Sequence, residues 1–193
     1  MRFITVLLAC AGLSACVTTA PEADATAGTV PTMRWDFRPD AGTWTEGTLN
    51  ALESHGAALP AMIPVDIAEW CPDYANKTEE ERAAFWAGLF SALAKHESTW
   101  RPEAVGGGGS WFGLVQISPS TARAYGCAAT TGSALKNPVA NLSCGVRIAA
   151  AQVTKRGSVN TGMRDWGPFH SSSKRAEMAA WTRAQPYCKA PTA

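Results

Sequence analysis

Residues 79–100 read EEERAAFWAGLFSALAKHESTW, and Thr78 stands immediately before them. Thr78 followed three residues later by Glu81 is the pattern of a capping box, in which each side chain satisfies an exposed amide at the other's position, so a helix is predicted to start at Glu79. Good helix formers, with Trp86, Leu89, Phe90 and Leu93 at helical spacing, carry it to about Glu97, and Pro102 disfavours helix beyond Arg101. Residues 86, 90, 93 and 97 share one face. Glu97 therefore takes the next place on a face that should be buried, at the end of the helix where the dipole least favours negative charge.

Three more helices carry similar punctuation. Ser118-Pro119 reads as an N-cap with proline in the first turn, opening a short helix to about Tyr125 with Gly126 as its stop. Asn137-Pro138 repeats the signal ahead of the single-face set Leu142, Val146, Ala149 and Val153, running to about Lys155 with Gly157 beyond. A last helix, from about Lys174 to Ala184, carries Met178 and Trp181 and halts before Pro186. Strand signals are poor. The pattern implies a mainly helical domain whose loops are long enough to form a groove.

The 193 residues, 46% of them hydrophobic, suit one domain of moderate size. Residues 1–15 read as a secretory signal peptide with Arg2 at its start and an apolar stretch too short to span a bilayer. Leu13-Ser14-Ala15-Cys16 resembles the lipobox of bacterial lipoproteins, in which the cysteine is lipidated and the chain is cut before it. Leu7-Leu8-Ala9-Cys10 fits the same pattern with too little apolar sequence ahead of it, so Cys16 is the preferred lipidation site; a secreted protein with an incidental signal cysteine stays open. Several acyl chains would anchor the protein durably to a membrane surface. Val17 in place of Asp, by resemblance to the sorting rule of double-membrane bacteria, points to the outer membrane, with the protein in the periplasm.

Residues 16–33 form the lipidated N-terminus and a small, polar, proline-punctuated tether. Trp35, Phe37 and Trp44, set among Gly and Pro, are expected to pack irregularly onto the domain, and the folded unit is placed at 34–190. Loss of residues 1–15 removes one basic residue, Arg2, from 17 and leaves 16 basic against 16 acidic side chains. Such a balance gives no electrostatic reason to bind nucleic acid. Four cysteines remain for an oxidising compartment, an even count that argues for two disulfides with three possible pairings. Cys127–Cys144, closing a short loop between two helices, and Cys71–Cys188, mainly by elimination, are preferred. Zinc ligation is disfavoured because no close CxxC pair exists and His55, His96 and His170 are scattered.

Glu97 has two readings. As a surface residue at a helix end it would pair with Lys95, His96 or Arg101. At the floor of a cleft, desolvation and the dipole would raise its pKa, and a carboxyl poised roughly near pH 6 suits protonation of a departing sugar oxygen. Four glycines, Gly106 to Gly109, follow, a backbone without side-chain bulk that lets a polymeric ligand come close or simply forms a flexible loop. No GK[ST] follows, so this is no phosphate loop.

Three ordered blocks make the resemblance specific: Glu97-Ser98-Thr99-Trp100-Arg101-Pro102-Glu103-Ala104, Gly113-Leu114-Val115-Gln116-Ile117-Ser118-Pro119-Ser120-Thr121-Ala122, and Asn137-Pro138-Val139-Ala140-Asn141-Leu142-Ser143-Cys144-Gly145. Together they resemble the soluble-lytic-transglycosylase-like (SLT) domain family. The resemblance implies a lysozyme-like fold of the α+β lysozyme superfamily, mainly α, as a single domain with long loops around a glycan-binding groove. It implies peptidoglycan glycan strands as partner and substrate and no metal or organic cofactor. The family's catalytic glutamate falls on Glu97 and its glycan-contacting glutamine on Gln116, whose other reading is to pin the loop to the helix, with Ser98 either orienting the carboxylate or capping backbone. Leu114, Ile117 and Leu142 read as core, and Asn141 as a tie between segments.

One departure is clear: the family's AYNAG-like block, with its tyrosine, is replaced here by Met163-Arg164-Asp165-Trp166-Gly167-Pro168-Phe169. Asp165 and Trp166 are candidates to line the site instead, and Trp100, Trp111 and Trp166 are candidates to stack on sugar rings. The resemblance implies cleavage between N-acetylmuramic acid and N-acetylglucosamine with 1,6-anhydro ends, one carboxyl acting as acid and then base. Two alternatives stand beside it. A hydrolase would need a second carboxylate, with Glu103, Asp165 and Asp73 as candidates. A non-catalytic glycan-binding lipoprotein would use the aromatic residues alone. Thiol chemistry by Cys127 or Cys144 with His96 is disfavoured because both cysteines are expected in a disulfide.

Overall fold

The computed structural model describes residues 30–190; the signal peptide, Cys16 and nearly all of the tether lie outside the described residues. Helices α1 (Ala41–Glu53), α2 (Ala58–Ala61) and α3 (Ile67–Trp70) lead into the long α4 (Glu79–Glu97). Strands β1 (Val105–Gly106) and β2 (Trp111–Phe112) form an antiparallel pair with Val105 opposite Phe112 and Gly106 opposite Trp111. Helices α5 (Pro119–Ala124), α6 (Pro138–Arg156), α7 (Val159–Gly162) and α8 (Ser172–Arg183) complete the order, with short 3₁₀ turns between several of them.

The helix α4 begins and ends where its sequence signals put it. Thr78 accepts from the Glu81 amide while the Glu81 carboxylate accepts from the Thr78 amide, closing the capping box. Its burial differs from the expected single stripe, since every residue from Ala83 to Ala94 is buried. Between the large side chains stand Ala83, Ala84, Ala87, Gly88, Ala92 and Ala94, so neighbours close in on all sides; α1, α2 and α8 pack directly on it. A helix apolar all round is a core helix. The second long helix, α6, packs on α1, α2 and α7. It opens with Asn137 accepting from the Ala140 amide and closes at Gly157, whose φ of 67° supplies the left-handed cap.

The segment around Trp35 and Trp44 is more regular than its sequence suggests. Residues from Ala41 form α1, which buries Ala41, Trp44, Thr45, Thr48, Ala51 and Leu52 along one side. Thr45 and Thr48 return their hydroxyls to the carbonyls of Ala41 and Trp44, and Trp35 donates its indole N–H to Thr45 Oγ1 at 2.9 Å. These contacts override the poor helix propensity of the Gly- and Thr-rich stretch. Phe37 stays 66% exposed, its ring edge-on to Trp100 at 5.0 Å.

Both disulfides are formed, Cys71–Cys188 and Cys127–Cys144. The first ties the end of α3 to the chain's final 3₁₀ turn; the second ties the loop after α5 to α6. Among the described residues, no helix is long and apolar enough to cross a membrane.

One electrostatic cluster joins the start of the described chain to two helices. Glu177 on α8 receives both arms of the Arg34 guanidinium, Lys95 Nζ at 2.7 Å and His96 Nε2 at 2.8 Å. The Arg34 hydrogen bonds hold the Glu177 carboxyl well below the ordinary carboxylate range, helped by Lys95 and His96 against the opposing effect of partial burial. Because the folded pKa is depressed, this stability is present above about 4.5 and is lost as pH falls toward the folded value. Glu177→Ala is expected to destabilise the fold by roughly 1–2 kcal/mol at pH 7, a value discounted for partial exposure. The gap from wild type in urea unfolding narrows at pH 3; an equal gap at both pH values contradicts the electrostatic account.

Candidate active site

Glu97 is the last residue of α4, and the chain folds back over the helix end immediately after it. Ser98 caps the helix, its amide and hydroxyl both directed to the Ala94 carbonyl, at 3.0 and 3.2 Å. Thr99 and Trp100 then take φ of 52° and 53°, a left-handed conformation that is costly for a β-branched and a bulky residue. The turn is held by Trp100, whose amide donates to the Ala94 carbonyl and whose indole N–H donates to the Ser91 carbonyl at 2.8 Å. Trp100 thus serves as an anchor of the loop that follows Glu97.

The carboxyl of Glu97 is half-buried, and its Oε1 is sealed from solvent without a hydrogen-bond partner among the described residues. The cations that a surface role would use are engaged elsewhere. Lys95 and His96 are bound to Glu177, and Arg101 Nε donates to the Ser98 carbonyl. Burial pushes the Glu97 carboxyl up from 4.5 to about 7, with Lys174 on α8 pulling weakly the other way. A buried, unpartnered carboxyl oxygen is costly when charged, and the proton relieves that cost.

A cleft of about 490 Å³ collects four of the other candidates, Trp111, Gln116, Asp165 and Trp166. Glu97 is not among the residues that wall it. Phe90, two turns earlier on the same face of α4, meets the Trp166 ring edge-on at 6.0 Å and so connects the helix to the cleft. Trp166 is only 4% exposed and its indole N–H donates to the Val115 carbonyl at 2.9 Å, so it contributes structure to the wall rather than an open ring face. Trp111 is 50% exposed, so its ring is free to meet a ligand. It lies over Gly107, where φ is 55° and an added Cβ would come within 2.4 Å of the ring. That close approach explains a glycine within the tetraglycine turn.

Gln116 is built into its loop. With φ of 48°, it donates its amide N–H groups to the carbonyls of Gly113 and Ala104, at 2.9 and 3.3 Å, which pins loop to loop and leaves its Oε1 without a hydrogen-bond partner among the described residues. The loop is in turn fastened to α6 by Asn141, which accepts from the Val115 amide and donates to the Phe112 carbonyl, both at 2.9 Å. Gly113 fits between them with φ of 82°, its Cβ position 2.2 Å from the Leu135 carbonyl oxygen and 2.5 Å from Asn141 Nδ2.

Ser98 does not join this group as a ligand contact. It is 3% exposed, and its hydroxyl also accepts from the Arg101 amide at 3.3 Å, so of its two expected roles the structure gives it the backbone cap. The residue that sequence reasoning missed is Tyr125. It lines the cleft, donates its hydroxyl to Asp165 Oδ2 at 3.2 Å and receives a hydrogen bond from Gln152 Nε2. Its position just after α5 made it read as a helix end, but the block that lacks a tyrosine, 163–169, thereby gains one from elsewhere in the chain. Asp73 is ion-paired with Lys77 and accepts from Asn76, and it does not line the cleft; Glu103 is exposed. Among the described residues, no group of three or more His, Cys, Asp or Glu is placed to hold a metal ion.

Comparison with known proteins fits this geometry. Residues 74–163 match the family model described as the transglycosylase SLT domain, a span that contains Glu97, the glycine-rich loop and most of the cleft. Three solved structures of Bd0314 DslA, one wild-type form and two glutamate-to-glutamine mutants, are each 26% identical and cover 83% of this chain and 98–100% of theirs. Their TM-scores are 0.72–0.73. No curated protein sequence matches significantly. The lysozyme-like helical fold and the match over residues 74–163 together show a transglycosylase SLT domain, and with it a lytic transglycosylase, an enzyme acting on peptidoglycan.

Proposed function

We propose that Glu97 alone serves as acid and then base in a cleavage that leaves 1,6-anhydro-N-acetylmuramic acid ends. The observation that carries this reading is the sealed, unpartnered Oε1 of a carboxyl whose pKa is pushed up to about 7. A group titrating there holds its proton at neutral pH in a large share of molecules and still gives it up readily. It first protonates the oxygen joining N-acetylmuramic acid to N-acetylglucosamine as that bond breaks and positive charge develops at C1. The carboxylate, favoured by Lys174, then takes the proton of the muramyl O6 hydroxyl as O6 bonds to C1. The nucleophile belongs to the bound sugar, so no second molecule has to be positioned.

The charge environment supports a single-carboxylate scheme. Among the described residues, the charged group that bears on Glu97 is Lys174, whereas a retaining pair of carboxyls about 5 Å apart would perturb each other strongly. Asp165 favours the rival hydrolytic reading because it is an exposed carboxylate in the cleft, held by Tyr125. Mass spectrometry of muropeptides released from purified peptidoglycan separates the two. Anhydro ends are expected, and reducing muramic ends in their place would reject the scheme. In the cleft, Trp111 offers its ring and Gln116 its Oε1 to sugar hydroxyl or acetamido groups.

The sequence supports a periplasmic enzyme anchored in the outer membrane through lipidated Cys16, and the two disulfides suit an oxidising compartment. With Cys16→Ala, the protein is expected in the soluble fraction after lysis without detergent; retention with the membranes would reject the anchor.

A further inference from the structure

A second cavity, of about 410 Å³, lies between the 160–169 segment and the outer face of α8. Its wall includes Trp70 and Phe169, stacked with centroids 5.4 Å apart, and the guanidinium-bearing Arg164 and Arg175. Neither arginine is within 4.0 Å of a carboxylate among the described residues; Arg175 spends one arm on the Phe169 carbonyl. The acid in the wall, Glu69, accepts from Asn160 at 3.0 Å, so the lining carries two positive charges against one negative. Ser172, the first residue of α8, also lines it and brings the positive end of a 12-residue helix to the rim. The Trp70 indole N–H is buried and unpartnered, a donor that the described residues leave unsatisfied.

Both arginines stand next in the chain to residues of the site. Arg164 directly precedes Asp165 and Trp166, which line the cleft, and Arg175 directly follows Lys174, which bears on Glu97. We propose that this cavity binds the carboxylates of the peptide branches carried by peptidoglycan strands, with Arg164 and Arg175 as forked donors and the buried Trp70–Phe169 stack packed behind them as rigid support. This deepens the glycan reading and rests on it for the identity of the ligand. Guanidinium groups free of acids, in a cavity of small-ligand size, suit planar bidentate recognition of carboxylate.

The test uses the full chain and a variant carrying Arg164→Gln with Arg175→Gln. Cleavage is compared on strands bearing peptides and on strands stripped of them by an amidase. The ratio of kcat/KM between the two substrates is expected to fall about tenfold in the variant, and an unchanged ratio overturns the proposal. Calorimetry with acetyl-Ala-Glu, its fully amidated form and inorganic phosphate reads the cavity without catalysis. Binding of the acidic peptide alone, lost in the variant, supports the proposal. No peptide binding, equal binding of the amidated form, or phosphate binding as tight as the peptide overturns it. If wild type cleaves neither strand, the glycan reading falls while the calorimetric result still decides the cavity.

Discussion

Glu97→Gln is expected to lower glycan cleavage by a factor on the order of 10² to 10⁴, the range that loss of a general acid–base group commands. The amide is nearly isosteric but can neither deliver a proton to the leaving sugar nor recover one. Binding of peptidoglycan should be retained, because Trp111 and the Gln116 loop are untouched, so a sedimentation assay with insoluble sacculi separates lost chemistry from lost binding. The same substitution has a second, opposite effect. The unfolded chain ionises Glu97 near 4.5, whereas the folded chain keeps the proton up to about 7. The folded state therefore binds more protons between these values, and the contribution of this group to stability, intact below 4.5, is lost as pH rises through 7. Glutamine has no charge to bury, so the variant should be more stable than wild type at pH 8, on the order of 2 kcal/mol after allowance for partial exposure, and equal to it at pH 4. Cleavage by wild type should fall above about pH 7 as the acid form is depleted. A variant that cuts at near wild-type rate, or that gains nothing in stability at pH 8, removes the basis for assigning Glu97 the proton-transfer role.

The helix that ends in Glu97 was legible because its signals are local: Thr78 and Glu81 close a ring of hydrogen bonds, and Pro102 bars continuation. Its burial on every side was harder to read, because small residues such as Ala87, Gly88 and Ala92 mark close approach only once the neighbours are known. Helix α1 was missed for a related reason. Asp40 stands at its N-cap without a side-chain hydrogen bond, and its threonines and glycines disfavour helix until Trp35 and α6 pack against it. At the site, the motif spacing led to Glu97 and to Gln116, but not to what their groups touch. Left-handed backbone at Thr99, Trp100 and Gln116 carries no glycine to announce it. Tyr125 meets Asp165 across 40 positions of sequence, a distance over which periodicity says nothing. The Glu177 cluster, which leaves Glu97 without Lys95 or His96, likewise joins three separate segments.

The two disulfides should separate stability from activity. Cys71–Cys188 spans 117 positions and Cys127–Cys144 spans 17. By chain entropy, opening the first costs about 5 kcal/mol and opening the second about 3 kcal/mol. Cys71→Ser with Cys188→Ser is therefore expected to lower Tm by roughly 10–20 °C. It also frees the turn whose Tyr187 hydroxyl donates to the Thr32 carbonyl, away from the cleft. Cys127→Ser with Cys144→Ser should lower Tm less. Cys127 follows Tyr125 by two residues and Cys144 lies one turn beyond Asn141, the residue that fastens the Gln116 loop to α6. Loosening that corner disturbs the cleft wall at two points, so KM for peptidoglycan should rise severalfold in this variant while the long-range variant, assayed below its own Tm, keeps a KM close to wild type. Thermal denaturation and steady-state kinetics on the two double variants test the crossing of effects. If the short-range pair costs more stability than the long-range pair, or if KM moves only with the latter, then the Cys127–Cys144 bond does not hold the cleft in shape.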